Sequence, residues 1–295
     1  ALAVDQSATL DALQQLDINL PMLLQKEVDW IRSQDSEVLV VGDMPPAAAD
    51  LAQQLDAPLV WMGNFGWDEI YAPLGGAFRP WADKATAAYR RGLLLLRCPF
   101  SLPMPWSLPE QALQLVAADP EPVPWDLEER LRGDCRQKVL VGFGGLGYSL
   151  DPDLFNEWPQ NLFLMAAPMD SRQQEQLAEM GNVVLLPTGL RPLDLMPFCD
   201  RHLGKPGFSS FCEAMASGLG LHVVERQGFA EASVLMDGLR THAAHRVLTR
   251  QALERGDWQL DQALHQPAGV PLSAGGAFQA AEALQSVASN TVKQG

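Results

Sequence analysis

Short apolar runs alternate with longer amphipathic stretches along most of the chain. Glu37 to Val41 reads as a buried strand that ends at Gly42-Asp43. Pro45, Pro46 and Ala47 to Leu55 follow as a helix begun by proline, whose fixed φ suits a first turn. Pro58 to Met62 and Leu93 to Cys98 repeat the strand pattern, and Leu113 to Ala117 reads as a short fourth strand. Pro120, Pro122 and Pro124 then interrupt the pattern, before a helical stretch from Trp125 to Arg132 that stops at Gly133. The alternation restarts with strand-sized runs at Lys138 to Phe143, Asn161 to Ala167, Asn182 to Leu186, Arg201 to Lys205 and Leu221 to Glu225. Helical stretches lie between them at Ser171 to Met180 and Ser210 to Ser217, and Gly275 to Val292 reads as an alanine-rich helix. Apolar strands separated by helices predict parallel sheets covered on both faces, with right-handed crossovers. The expected fold class is α/β, with two doubly wound, Rossmann-like domains over residues 1–122 and 123–295. A ligand cleft is expected to face the carboxyl ends of the strands.

Composition narrows what such a fold does. The 295 residues are 47% hydrophobic and 19% charged, and the formal net charge is -15. That charge disfavours a sequence-independent grip on nucleic acid or anionic lipid. No apolar run reaches the ~20 residues of a membrane-spanning helix. No basic and apolar leader opens the sequence, so a cytoplasmic location is expected. Cys98, Cys135, Cys199 and Cys212 are scattered, which suits reduced thiols better than a disulfide framework or a zinc site. His202, His222, His242, His245 and His265 suggest no ligand set, and neither a metal nor another cofactor is expected.

The segment richest in chemistry is Gly204-Lys205-Pro206-Gly207-Phe208-Ser209-Ser210-Phe211-Cys212-Glu213. A strand end enters a glycine-bracketed loop that opens a helix, whose first amides and dipole suit a phosphate. Glu213 lies one turn in, where a carboxylate accepts hydrogen bonds from a ribose diol. The same residues also read as a capping box, Ser210 and Glu213 standing in S-x-x-E spacing with no ligand needed. Lys205 is a second phosphate contact or a solvated loop cation. Gly144-Gly145-Leu146-Gly147, directly after a strand, either admits a phosphate or makes a tight turn, and does not fit G-x-G-x-x-G.

Asn64-Phe65-Gly66-Trp67-Asp68-Glu69-Ile70-Tyr71 places amides, carboxylates and aromatic faces beyond a strand end, as sugar recognition requires. The alternative is an Asn64 helix cap with Trp67 and Tyr71 packed one turn apart in the core. Asp43 is either a cleft carboxylate or the cap of the helix after Pro46. Arg226 and Glu231, after the strand ending at Glu225, either face a diphosphate sugar or are exposed loop charges. No G-x-S-x-G, Walker loop or H-E-x-x-H occurs, which disfavours hydrolase-triad, P-loop and zinc-protease chemistry.

Together these segments resemble the glycosyltransferase-like amino-terminal half of the L-arabinokinase family and its bacterial relatives, within the GT-B transferases. The resemblance is carried by Gly42-Asp43-Met44-Pro45-Pro46, Asn64 to Tyr71, Pro103-Met104-Pro105, Phe143-Gly144-Gly145, Gly204 to Glu213 and Glu225 to Glu231. It implies a nucleotide-sugar donor, a UDP-sugar favoured, and transfer to an acceptor hydroxyl without a metal. Gly207, Ser209, Ser210 and Glu213 would meet the nucleotide, Gly144 and Gly145 the diphosphate, and Glu231 the sugar or nucleotide side. Asn64, Trp67 and Tyr71 fall on the acceptor side, and Asp43 and Asp68 are the candidate bases. The family's first strand and its G-H-G-x-G-H loop have no counterpart in this sequence, so the first domain is expected to lack its opening strand. Ala230 and Ala232 replace the family's asparagine and second acid, and Gly66 its serine or threonine. A nucleotide-sugar binding or scaffold protein and a sugar-nucleotide epimerase are the competing readings. No sugar-kinase activity is implied.

Overall fold

The computed structural model describes residues 5–143, 150–226 and 228–292. The chain divides into two compact units, each discontinuous in sequence. The amino-terminal unit comprises Ala3–Gln114, Gly228–Val234 and Gly275–Gly295, and the carboxy-terminal unit comprises Leu115–Gln227 and Leu235–Ala274.

The amino-terminal unit opens with α1, Gln6–Arg32, capped by Asp5, whose carboxylate accepts from the Ala8 amide at 3.0 Å. The apolar and polar pattern does not announce this helix, and the structure shows why. Val28 is its one fully buried residue, while Ile18, Met22 and Trp30 are exposed. Then come β1 (Val40–Gly42), α2 (Ala47–Leu55), β2 (Leu59–Gly63), α3 (Trp67–Tyr71), α4 (Arg79–Tyr89), β3 (Leu94–Arg97) and β4 (Glu110–Ala112). All four strands are parallel, in the order β1-β2-β3-β4. The core beneath them gathers Val40, Leu59, Trp61, Leu95, Met104 and Trp106.

The fourth strand lies earlier than its apolar pattern predicts. Arg97 grips Glu110 through two bonds of 2.8 and 2.9 Å, and Leu95 donates to the Pro109 carbonyl. The ladder therefore forms on the exposed Glu110–Ala112. Leu113 and Leu115 are buried beyond it, and Leu115 makes only an isolated bridge, to Ala274.

The carboxy-terminal unit contains α5 (Trp125–Gly133), β5 (Gln137–Gly142), β6 (Asn161–Met165), α6 (Ser171–Ala178), β7 (Val183–Leu185), α7 (Pro192–Leu195), β8 (Arg201–Gly204), α8 (Phe208–Ala216) and β9 (Gly220–Val224). It also holds β10 (His245–Leu248) and α10 (Arg250–Glu254), preceded in the chain by α9 (Glu231–His242) and followed by α11 (Gly276–Val292). Its six strands are parallel in the order β10-β9-β8-β5-β6-β7. The chain runs outward through β5, β6 and β7, then returns to the other side of β5 for β8, β9 and β10. The winding therefore reverses between β5 and β8, the place where open α/β sheets hold their ligands. Val139, Val141, Leu203, Val224 and Leu248 share one core with the fully buried Phe155, Phe163 and Trp258. Among the described residues, no helix is long and apolar enough to cross a membrane.

Candidate functional site

At the reversal point β5 and β8 end on two glycines in register, Gly142 beside Gly204. A Cβ on Gly204 would stand 2.3 Å from the Gly142 carbonyl oxygen and 2.7 Å from Cε1 of His202, so this strand end has no room for a side chain. Pro206 is buried, and Gly207 is the N-cap of α8. Gly207 has ordinary extended dihedrals, φ -154 and ψ 132. A Cβ there would meet only Ser210 Oγ, at 4.0 Å. Neither backbone conformation nor packing demands glycine at this position. What its absent side chain leaves open is the approach to the first amides of a nine-residue helix, with their partial positive charge.

The capping box does not form. No side chain caps α8, and the Gly207 carbonyl takes the Phe211 amide at 3.0 Å. Ser209 is exposed and Ser210 half-buried at the helix start. Glu213, half-buried one turn on, is not serving the helix end. Burial raises its carboxyl above the usual range, Arg191 opposes that, and Asp194 adds to it.

Arg191 and Asp194 carried no signal in sequence. Asp194 is buried, and its carboxylate accepts from the Arg191 guanidinium at 2.6 Å, the Arg191 amide at 3.0 Å and the Glu121 amide at 2.8 Å. The guanidinium hydrogen bond holds the Asp194 carboxyl well below the usual carboxylate range. A carboxyl depressed by folding contributes stability above its unfolded value and loses it as pH falls through its folded value. Asp194→Asn is therefore expected to lower the urea midpoint at pH 7, with the gap to wild type narrowing as pH falls below about 4. A gap of constant size from pH 7 to pH 3 would contradict this.

In the amino-terminal unit, the residues beyond β2 are packed rather than splayed. Asn64 is not a cap, since α3 starts from Gly66 without a side-chain bond. Its amide instead donates to Glu231 Oε1 at 2.8 Å, and both residues are buried. Glu231 is thus no exposed loop charge: it begins α9, and Phe229 beside it meets Phe65 edge to face, with centroids 6.2 Å apart. Two residues far apart in sequence, one expected on the acceptor side and one on the donor side, share one hydrogen bond.

Asp68 is buried, and its Oδ2 accepts from Trp106 Nε1 at 2.9 Å and Thr86 Oγ1 at 3.0 Å. Gly66 is fixed by this packing, because a Cβ would lie 2.2 Å from Asp68 Oδ1 and 2.3 Å from the Trp106 ring. Serine or threonine does not fit there in this chain. Glu69 accepts from the Met104 amide at 3.1 Å, and burial raises its carboxyl despite that bond. Arg97 closes the same region, donating to the Leu102 and Pro103 carbonyls at 2.9 Å each. Glu69 lay within the marked Asn64 to Tyr71 segment, whereas Arg97 was not marked by the sequence pattern; together they hold the Pro103-Met104-Pro105 segment.

Trp67 and Tyr71 stack one turn apart, with centroids 5.3 Å apart and planes 25° apart. Asp43 is exposed past the end of β1, and α2 starts from Pro46 without a side-chain cap, so Asp43 does not cap it. Lys205 and Arg226 are both half-buried, each just past the end of a strand. Gly144 and Gly145 lie outside the described residues. No group of three His, Cys, Asp or Glu suited to a metal ion occurs among the described residues.

No family model matches the chain. L-arabinokinase of Arabidopsis thaliana is 26% identical over 267 residues, which are 88% of this chain and 25% of that protein. The chain therefore spans about a quarter of that relative's length. Among solved structures, Arabidopsis thaliana UGT89C1 complexed with UDP is similar with a TM-score of 0.58 at 16% identity, over 84% of this chain and 69% of that one. A UDP-glucosyltransferase from Polygonum tinctorium, capable of glucosylating indoxyl, follows with a TM-score of 0.56 at 15% identity, over 83% and 70% of the two chains. The two parallel sheets are those of the two-domain GT-B fold, and the chain resembles glycosyltransferases of that fold.

Proposed function

We propose that the chain serves the transfer of a sugar from a UDP-sugar to an acceptor hydroxyl, the carboxy-terminal unit holding the donor and the amino-terminal unit the acceptor. The observation that carries this reading is Gly207. It stands free of steric or conformational need at the amino end of α8, beside the point where the sheet reverses. A diphosphate fits there, against backbone amides and the helix dipole, with Ser209 and Ser210 as hydroxyl donors. Glu213, one turn along, accepts from the ribose hydroxyls.

In this scheme the helix start stabilises the negative charge that develops on the departing diphosphate, and positioning supplies much of the remainder. Lys205 and Arg226 lie on the donor side, and Gly144 and Gly145 are assigned to the diphosphate. Asp43 suits a general base better than Asp68, because Asp43 is exposed at a strand end whereas Asp68 already serves Trp106 and Thr86. Asn64 and Glu231 act as a pair in this reading, fixing the acceptor-side wall.

Calorimetric titration with UDP tests the donor site. Glu213→Ala is expected to weaken binding at least tenfold, about 1.4 kcal/mol, and Glu213→Gln by less. Because burial raises the Glu213 carboxyl, wild-type affinity should rise with pH across that raised range, while Glu213→Gln stays flat. Wild-type and Glu213→Ala proteins of equal affinity would remove Glu213 from the site. Absence of UDP binding would remove the donor reading itself.

A further inference from the structure

The amino-terminal unit encloses a cavity of about 470 Å³ between α1 and the helices that cover the sheet. That volume falls within the range of small-molecule sites, about 300–1,000 Å³. One wall is Leu13, Leu16 and Leu20, spaced to share a face of α1. The floor is Ala85 and Ala88 of α4, buried and ending at Cβ. The remaining lining includes Pro45 and Pro46, the stacked Trp67 and Tyr71, and Trp81.

The charged side chains of the lining are few and mutually satisfied. Lys84 pairs with Asp17, joining α4 to α1, and Arg91, just past the end of α4, pairs with Asp50 of α2 at 2.6 Å. Each cation thus has its anion, and an ionised ligand would find no counter-charge to repay its desolvation. With Trp67, Tyr71 and Trp81 in its lining, the cavity suits a ring-bearing molecule, which gains offset or edge contacts with Trp and Tyr beyond simple area burial.

We infer that this cavity binds a neutral, apolar, ring-bearing molecule. On the transferase reading above, on which this further step rests, that molecule is the acceptor, and it lies against the same Trp67 and Tyr71. Leu16, half-exposed, stands at the rim, and Ala47 and Ala87 line the cavity from positions that are not buried. Phenylalanine at either of these two positions would obstruct the cavity without disturbing the core.

The test is titration of the whole chain with 2-naphthol, followed by calorimetry and by the fluorescence of the tryptophans. The wild type is expected to bind with a micromolar Kd. Ala47→Phe with Ala87→Phe should weaken binding at least tenfold at unchanged Tm, and neither decanoate nor glucose should compete. Failure of 2-naphthol to bind, binding that survives the obstructing substitutions at unchanged Tm, or equal binding of decanoate would each overturn the inference. UDP is titrated into the same samples. UDP bound without 2-naphthol sinks the cavity inference and spares the donor reading. 2-Naphthol bound without UDP keeps the cavity and withdraws the acceptor role.

Discussion

Gly204→Ala is expected to lower Tm by roughly 2–12 °C. The added methyl would sit 2.3 Å from the Gly142 carbonyl oxygen, which is backbone within a central parallel pair and cannot swing aside. The ring of His202, itself fully buried, closes the other side. Forced overpacking of this kind costs about 1–3 kcal/mol, sometimes more. In a chain of this size each kcal/mol lowers Tm by roughly 2–4 °C. The informative comparison is Gly207→Ala, three residues on. With nothing nearer than 4.0 Å, its methyl meets no steric penalty. Exchanging an N-cap glycine for alanine costs about 1 kcal/mol or less. Gly207→Ala should therefore nearly keep its Tm while losing UDP affinity tenfold or more. Differential scanning calorimetry and UDP titration on both variants separate the two glycines. A thermally unaltered Gly204→Ala would mean that the β5 and β8 ends are not in close contact.

Asn64→Asp is expected to be the most damaging polar substitution in the amino-terminal unit, costing about 3–5 kcal/mol at pH 7 as an uncompensated buried charge. It would set two carboxylates at hydrogen-bonding distance where an amide now donates to Glu231 at 2.8 Å, with both positions buried. Two such carboxylates relieve their repulsion by retaining one proton, so the pair's folded-state pKa lies above that of the unfolded chain. The folded variant then binds more protons than the unfolded one. Its stability accordingly recovers as pH falls from 7 toward 5. Urea unfolding at the two pH values checks the sign. An equal deficit at both would show that position 64 tolerates charge and that the Asn64–Glu231 bond is solvated.

Some of this architecture was legible in the sequence. The helix after Pro45 and Pro46 ended where expected, at Leu55, with Pro46 as its N-cap where a proline had been expected inside the first turn, and Asp56, with φ 53, turns the chain out of it. Most of the apolar strands fell within a residue or two of their expected places, since a run buried on both faces needs no partner to be recognised, but β1 begins three residues later than expected and β4 lies on Glu110–Ala112 instead of Leu113 to Ala117. β10 escaped because His245 and Arg246 dilute a four-residue strand, although both lie in a regular parallel pair with β9. The α1 helix escaped because its apolar residues are not gathered into one buried stripe. Around the candidate site, the loop from Gly204 into α8 was visible as glycines followed by hydroxyls. The neighbours that set the electrostatics of Glu213 were not, since Arg191 and Asp194 lie on another element and meet it only in three dimensions. The same holds for Asn64 and Glu231, which are 167 positions apart. Spacing rules see contacts within one helix or strand, and these contacts cross elements.

The amino-terminal unit is assembled from three separate stretches of chain, the last beginning at Gly275. A polypeptide emerges from the ribosome in order, so the unit that begins first is the last whose parts are all available. Its first stretch, Ala3–Gln114, must wait for Glu231 to supply the partner of Asn64, and for Gln279 to accept from the Gln114 amide at 2.8 Å. The carboxy-terminal unit has all of its residues once Ala274 has been made. Nascent chains stopped short of residue 275 would carry one unit with its full set of residues and a preceding segment still exposing its unfinished surfaces, which is the interval in which a chaperone would be needed most.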